Sequence, residues 1–132
     1  MKDHRVFFIA DDDPDDQELF IKALKEIDEH CYCISAFNGE EALDKLINEK
    51  LHHPDLIFLD LNMPKKNGKQ CLKEIKQINE IKDIPVIIYS TSAEKKDIEE
   101  TTQLGAAFFM QKPNRFTELR NALNQIISHN WG

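Results

Sequence analysis

Short apolar runs alternate five times with amphipathic segments of helical spacing along the 132-residue chain, and only short connections separate them. A continuous apolar run is typical of a strand that is buried on both faces of a sheet. Strands that alternate with helices are joined by right-handed crossovers and form a parallel sheet covered by helices on both sides. The pattern therefore predicts an α/β fold, a three-layer sandwich around five parallel strands.

The strands are predicted at residues 5–10, 31–37, 56–59, 84–90 and 107–111. The second strand alternates most and is therefore expected near a sheet edge. Asp13 followed by proline indicates the start of the first helix. The fourth helix is predicted over 93–104, because Gly105 is typical of the position just after a helix. The fifth is predicted over 115–129.

Apolar residues at helical spacing are expected to face the core. They are Leu19, Phe20, Ala23, Leu24 and Ile27 in the first helix; Ala42, Leu43, Leu46, Ile47 and, at its margin, Leu51 in the second; Cys71, Leu72, Ile75 and Ile78 in the third; Ile98, Thr102 and Leu104 in the fourth; and Phe116, Leu119, Leu123, Ile126 and Ile127 in the fifth.

Charge and cysteine content exclude several classes of protein. The net charge of -7 argues against nucleic acid as a partner, because nucleic-acid-binding domains carry a basic face. No apolar stretch approaches the roughly 20 residues that span a bilayer. The 3 cysteines have no metal-type spacing. Reduced thiols in a cytoplasmic protein, with no membrane partner, are the expectation.

Polar residues of three kinds follow the predicted strands. Asp11 and Asp12 follow the first strand, Asp60 follows the third, Ser90 ends the fourth and Lys112 follows the fifth. The carboxyl ends of parallel strands open onto one edge, where open α/β sheets bind their ligands. Carboxylates, a hydroxyl and an ammonium are therefore expected to converge there.

Clustered carboxylates repel one another unless a cation relieves the repulsion. Mg²⁺ suits one or two carboxylates together with waters and phosphate oxygens, and Mn²⁺ or Ca²⁺ can substitute. Asp12 and Asp60 are the best direct ligands, and Asp11 can act through a water. The backbone carbonyl of Asn62 can complete the protein's share. A carboxylate can also attack a phosphoryl group, which predicts Asp60 as a nucleophile.

Lys112 and Ser90 fit the two supporting roles in this chemistry. An ammonium neutralises charge on phosphoryl oxygens, and a hydroxyl donates a hydrogen bond to one of them.

The sequence resembles the receiver domains of bacterial two-component response regulators, which are CheY-like phosphoacceptor modules. The matching segments cover nearly the whole chain in order. They are residues 9–14 (IADDDP), 36–43 (AFNGEEAL), 54–64 (PDLIFLDLNMP), 67–68 (NG), 85–90 (PVIIYS), 105–106 (GA) and 112–113 (KP).

The resemblance implies a flavodoxin-like (βα)5 fold with strand order 2-1-3-4-5. It implies that Asp60 is phosphorylated by a sensor histidine kinase or a histidine phosphotransfer protein, and that Asp11 and Asp12 serve Mg²⁺. It also implies that Ser90 and Lys112 carry the signal. The Lys112–Pro113 peptide bond is expected to be cis, as in the family.

Two positions depart from the commonest family pattern. The switch hydroxyl is Ser90 rather than threonine, which keeps the donor. Thr91 is a rival, although strand register after Pro85 favours Ser90. The aromatic switch position is Phe109 rather than the frequent tyrosine, so it can swing between buried and exposed states without hydrogen bonding in either.

Other residues near the strand ends receive structural interpretations. Asp13, Asp15 and Asp16 are interpreted as cap and first-turn charges, Lys65 and Lys66 as solvated, and Met63, Met110 and Phe108 as core or rim packing.

We expect one receiver domain over 1–132 with no output domain, which acts by protein contact or phosphoryl relay. The contact face is expected to be the fourth helix, fifth strand and fifth helix, and homodimerisation through it is open. We expect no enzymatic activity beyond assistance to the protein's own phosphorylation and slow dephosphorylation.

Two alternatives compete with this interpretation. One is a Mg²⁺-dependent phosphatase with an aspartyl nucleophile, but such enzymes usually place a second acid two residues on, where this chain has Asn62. The other is a constitutive adaptor, a pseudo-receiver, against which the intact acid set argues.

Overall fold

A five-stranded parallel sheet with the order β2-β1-β3-β4-β5 forms the centre of the protein. The computed structural model describes residues 4–48 and 53–131. This order confirms the α/β fold and the strand order that the resemblance implied. The strands are β1 (Val6–Ala10), β2 (Tyr32–Ala36), β3 (Leu56–Leu59), β4 (Val86–Ser90) and β5 (Phe108–Gln111).

Each strand is followed by a helix, and the predicted ends lie within two residues of those observed. Strand β4 begins after Pro85, because proline has no N–H to give to the ladder. Among the described residues no helix is long and apolar enough to cross a membrane. The helices are α1 (Pro14–Ile27), α2 (Gly39–Asn48), α3 (Gly68–Ile75), α4 (Lys95–Gln103) and α5 (Phe116–Ser128).

Two apolar cores lie on opposite faces of the sheet. One contains buried residues of α2 and α3, and the other contains those of α1 and α5. Full burial of a large apolar side chain stabilises a fold by about 1.5–3 kcal/mol. Both cores therefore anchor the central strands, whose side chains alternate between the two faces.

Burial separates the central strands from the edges. Every residue of β1, β3 and β4 is buried, whereas β2 and β5 contain half-buried and exposed residues. Strand β2 lies at the edge, as its alternating sequence predicted. The functional strand ends at β1, β3 and β4 thus rest on the best-buried part of the molecule.

Several helix positions differ from the predicted core. Leu19 and Ile47 are 45% and 48% exposed, because each lies beside a neighbour, Phe20 or Leu46, that takes the core-facing direction. Ile78 lies beyond the end of α3, where it packs partly against the core. Leu51 lies outside the described residues.

In α4 the buried threonine is Thr101, whereas the predicted Thr102 and Ile98 are exposed. The hydroxyl of Thr101 donates to the carbonyl of Asp97 at 2.8 Å, so that its burial leaves no unpaired donor.

Candidate functional site

Three carboxylates meet at the carboxyl edge of the sheet. Asp11 directly follows β1 and is fully buried, and Asp60 directly follows β3 and is 6% exposed. Asp12 is exposed. One carboxylate oxygen from each residue lies within 4.8 Å of the others. We call Asp11, Asp12 and Asp60 the acid cluster.

Local hydrogen bonds fix the backbone that carries the acid cluster. The N–H of Asp11 donates to the carbonyl of Ala36 at 3.0 Å, and the N–H of Asp60 donates to the carbonyl of Ala10 at 2.9 Å. The buried amide of Gln17 donates to the carbonyls of Asp11 and Ala36. The cluster is therefore tied to three adjacent strand ends and to the first turn of α1.

Helix α1 begins beside the acid cluster because Asp13 caps it. The carboxylate of Asp13 accepts hydrogen bonds from the N–H groups of Asp15 and Asp16 at 2.9 and 3.3 Å. Pro14 occupies the first helical position, as predicted. The N–H of Asp13 in turn donates to the carboxylate of Asp11 at 3.0 Å.

Glycine at position 68 allows α3 to start directly against the Asp60 strand end. A Cβ atom there would lie 2.3 Å from the carbonyl oxygen of Asp60 and 2.7 Å from the Cα of Leu61. Both contacts are with backbone, so a side chain would displace the loop that carries Asp60. In the sequence this glycine was noted only as part of the matching segment 67–68 (NG).

The Lys112 ammonium lies among three carboxylates. Its Nζ is 2.7 Å from Asp11 Oδ2, 3.0 Å from Asp16 Oδ2 and 3.2 Å from Asp60 Oδ2. The Lys112 side chain is only 8% exposed, and its Nζ lies 5.1 Å from the centroid of the Tyr89 ring. The predicted meeting of carboxylates and ammonium is therefore observed.

The Lys112–Pro113 bond is trans, since no cis peptide occurs among the described residues, and the expectation of a cis bond is wrong. Trans is the lower-energy form of a peptide bond before proline. Lys112 reaches the acid cluster with this bond trans, and its N–H donates to the carbonyl of Ser90 at 2.7 Å.

Burial and pairing shift two pKa values at the site. Burial raises the pKa of Asp11 to about 6, although the hydrogen bond and charge of Lys112 act to lower it. Burial also disfavours the charged form of Lys112. Its hydrogen bonds to Asp11 and Asp16 outweigh burial and hold its pKa above the usual value. The ammonium is the counter-charge of the site, and burial makes ionisation of Asp11 costly.

Ser90 and Thr91 lie differently at the end of β4. Ser90 is fully buried, and its Oγ accepts a hydrogen bond from the N–H of Ser92 at 3.3 Å. Thr91 is exposed.

The two remaining predicted site residues lie on either side of β4. The N–H of Asn62, after β3, donates to Asp60 Oδ1 at 3.2 Å. Phe109, on β5, is half-buried against the core that contains α2 and α3.

Two charged residues make contacts that the sequence did not predict. Asp16 lies in the first turn of α1, as predicted, and its carboxylate also contacts Lys112. No local signal could reveal this pair, because the two residues lie 96 positions apart. Lys66 is half-buried and forms an ion pair with Glu74, whereas Lys65 is exposed as predicted.

The prediction of core or rim packing for Met63, Met110 and Phe108 agrees with the structure in part. Met63 and Met110 are buried, whereas Phe108 is 48% exposed. Trp131, which the sequence left without an interpretation, donates its indole N–H to the carbonyl of Ile126 at 2.8 Å.

The donor chemistry of the acid cluster fits a hard divalent cation. Mg²⁺ and Mn²⁺ prefer oxygen ligands, and the cluster offers three carboxylates with one ammonium as the nearby counter-charge. The carboxylate of exposed Asp12 would hold the ion from the open side, and those of Asp11 and Asp60 from the buried side.

Comparisons with known proteins agree with this fold. The family model of the response regulator receiver domain matches residues 7–124. Response regulator Rcp1 of Synechocystis sp. is 31% identical over 128 residues, which cover 94% of this chain and 87% of the relative. The chain belongs to the response regulator receiver domain family and is a receiver domain of two-component signalling.

Longer relatives and solved structures are also similar. The probable C4-dicarboxylate response regulator DctR of Bacillus subtilis is 37% identical over 127 residues, and the chain spans about half of its length (52%). The phosphorylated cyanobacterial phytochrome response regulator RcpA has a TM-score of 0.86 at 31% identity, with 93% of this chain and 91% of that chain covered. The Mn²⁺-bound form of Rcp1 has a TM-score of 0.83 at 30% identity, with 94% and 92% covered.

Proposed function

We propose that Asp60 accepts a phosphoryl group from the phosphohistidine of a sensor histidine kinase or a histidine phosphotransfer protein. One observation carries the proposal. The nearly buried carboxylate of Asp60 contacts the ammonium of Lys112 and also belongs to the acid cluster, which could hold a metal ion. The similar response regulator RcpA has been observed in its phosphorylated form, which supports the proposal further.

In the proposed transfer, an oxygen of the Asp60 carboxylate attacks phosphorus while the phosphorus–nitrogen bond of the donor breaks. The imidazole leaves with the electron pair and takes a proton from solvent. Lys112 neutralises one phosphoryl oxygen, and the hydroxyl of Ser90 donates a hydrogen bond to another. The ammonium of Lys112 lies 3.2 Å from Asp60 Oδ2, which supports its part in this transfer.

Mg²⁺ is the proposed cofactor, held by Asp11, Asp12 and Asp60 with the backbone carbonyl of Asn62. A bound Mg²⁺ would neutralise charge on the transferring phosphoryl group. The three carboxylates within 4.8 Å of one another support this assignment, as does the Mn²⁺-bound form of the similar protein Rcp1.

We propose that the output of this receiver domain is contact with a downstream protein. The contact face would comprise α4, β5 and α5. Ser90 and Phe109 would link the site to it, because Ser90 ends β4 and Phe109 pairs with Ile88 of the same strand. The three free cysteines are consistent with a cytoplasmic location.

Intact-mass measurement after incubation with phosphoramidate and Mg²⁺ tests the proposal. We expect one added phosphoryl group on the wild type and on Asp15→Asn, a matched surface variant, and none on Asp60→Asn. An adduct that persists in Asp60→Asn would contradict the assignment. Repeated turnover of a generic phosphate ester would instead support the aspartyl phosphatase.

A further inference from the structure

The third carboxylate at Lys112 has no role in the proposed transfer. An ammonium has three N–H donors, and Nζ of Lys112 has three carboxylate partners, at 2.7, 3.0 and 3.2 Å. Asp11 and Asp60 belong to the acid cluster. Asp16 lies outside it, in the first turn of α1, and its side chain is 34% exposed.

A divalent cation and Lys112 draw on the same carboxylates. A cation held by Asp11 and Asp60 withdraws electron density from the groups that accept two of the three Lys112 hydrogen bonds. The Lys112 side chain is only 8% exposed, so its ammonium cannot exchange these partners freely for water. A buried charge that loses its partners is costly, and this cost opposes binding of the cation.

We propose that Asp16 is a positioning residue that keeps the Lys112 ammonium paired while a divalent cation occupies Asp11 and Asp60. The proposal rests on cation binding by the acid cluster, as described under the proposed function. The carboxylate of Asp16 lies 3.0 Å from Nζ, on helix α1, whose start is capped by the side chain of Asp13.

The face of the Tyr89 ring limits the movement of the ammonium further, since Nζ lies 5.1 Å from the ring centroid. The Lys112 N–H is fixed to the carbonyl of Ser90. With its backbone and one carboxylate partner fixed, Lys112 stays beside Asp60, where a phosphoryl oxygen would need it.

Mg²⁺ titration of the full chain by calorimetry tests the proposal. Asp16→Asn keeps the shape of the side chain but removes its charge. Asp15→Asn makes the same change one residue away, at an exposed side chain. We expect Asp16→Asn to weaken Mg²⁺ binding about three- to tenfold more than Asp15→Asn does. A change of this size does not exceed the contribution of one hydrogen bond between charged groups.

The Lys112→Met background shows whether Asp16 acts through the ammonium. We expect the excess effect of Asp16→Asn over Asp15→Asn to disappear there, because no ammonium remains to be held. Equal affinities of the two asparagine variants would overturn the proposal. So would an excess effect that persists without Lys112, since Asp16 would then act on the cation directly.

Failure of this proposal is distinguishable from failure of the proposed function. A wild type that binds no Mg²⁺ overturns the metal assignment and this proposal together. A wild type that binds Mg²⁺ and gains a phosphoryl group, with Asp16→Asn equal to Asp15→Asn, overturns the role of Asp16 alone. The thermal transition of each variant verifies that it is folded, and the comparison of the two asparagine variants stands without the Lys112→Met background.

Discussion

Helices α1 and α4 both follow central strands that lead to the carboxyl edge, but the protein holds them very differently. The carboxylate of Asp13 caps α1, which buries Phe20 and Leu24 completely. Helix α4 begins at Lys95, its N-cap residue Glu94 makes no side-chain cap hydrogen bond, and its one buried residue among those described is Thr101. The helix beside the acid cluster is thus fixed, whereas the helix of the proposed contact face is only lightly held.

This contrast fits a domain that keeps its chemistry constant and adjusts its surface. A switch needs an element with two accessible arrangements, and a lightly packed helix changes arrangement at low cost. The main polar tether of α4 to its neighbour α3 is Lys69, whose Nζ contacts Asp97 at 2.7 Å and Glu100 at 2.6 Å.

Truncation of one apolar residue in each helix should give the largest difference. Phe20 contacts Phe58 and Tyr89, with ring centroids at 4.9 and 5.4 Å. We expect Phe20→Ala to reduce the free energy of unfolding by about 3–5 kcal/mol. Ile98→Ala, at a residue 37% exposed, should cost about 1 kcal/mol or less. Urea denaturation measures both, and similar losses would contradict the contrast.

Mg²⁺ bound at the acid cluster, beside α1, should stabilise the folded protein. At a hundred times its dissociation constant, a ligand that binds only the folded state adds about 2.7 kcal/mol to the free energy of unfolding. We expect most of this gain to be lost in Asp12→Asn, which removes an exposed carboxylate of the proposed metal site, and kept in Asp15→Asn. Thermal unfolding with and without Mg²⁺ measures it. An equal gain in the two variants would place the cation elsewhere.

The pH dependence of that gain follows from Asp11. Burial raises its pKa from 3.8 to about 6, so its contribution to stability without metal is complete below 3.8 and is lost as pH rises through 6. A cation needs the ionised form. The Mg²⁺ gain should therefore be large at pH 7.5 and fall as pH drops through 6, and a gain independent of pH between 5 and 7.5 would contradict this.

Loss of the α1 cap should have a smaller effect. We expect Asp13→Ala to cost about 1 kcal/mol, because two N–H groups lose their acceptor. Glu94→Ala, at the uncapped start of α4, should change stability by no more than about 0.5 kcal/mol. Chemical denaturation of the pair measures the difference, and a costlier change at Glu94 would reverse the order of the two helices.

Removal of the Lys69 tether should have the smallest effect on stability. Partly exposed ion pairs contribute about 1 kcal/mol or less. We nevertheless expect Lys69→Met to speed amide hydrogen exchange in α4 while α1 exchanges as before. Lys95→Met, on the exposed face of α4, is the matched control. Unchanged exchange in α4 would show that packing alone holds it.

The sequence predicted the fold well where burial is continuous. The apolar runs that became β1, β3 and β4 are buried at every position, so their signal did not depend on register. Prediction failed at Ile47 and Thr102, where one helical position decides between core and solvent. Neighbouring residues of a helix point about 100° apart, and tertiary packing decides which of them faces the core.

The candidate site divides in the same way. Asp11, Asp60 and Lys112 were predictable because topology alone brings strand ends together. The contact between Asp16 and Lys112 was not, because it depends on the direction of two side chains across 96 residues. The cis bond before Pro113, taken from the family, was wrong for this chain.

Identification of the phosphorylated residue is the most direct test of the account. Borohydride reduces an aspartyl phosphate to homoserine, which marks the position in a peptide mass spectrum. After incubation with phosphoramidate and Mg²⁺, the account predicts homoserine at position 60 and unmodified aspartate at positions 11, 12 and 16. Homoserine at any of those three positions, with aspartate retained at position 60, would contradict it.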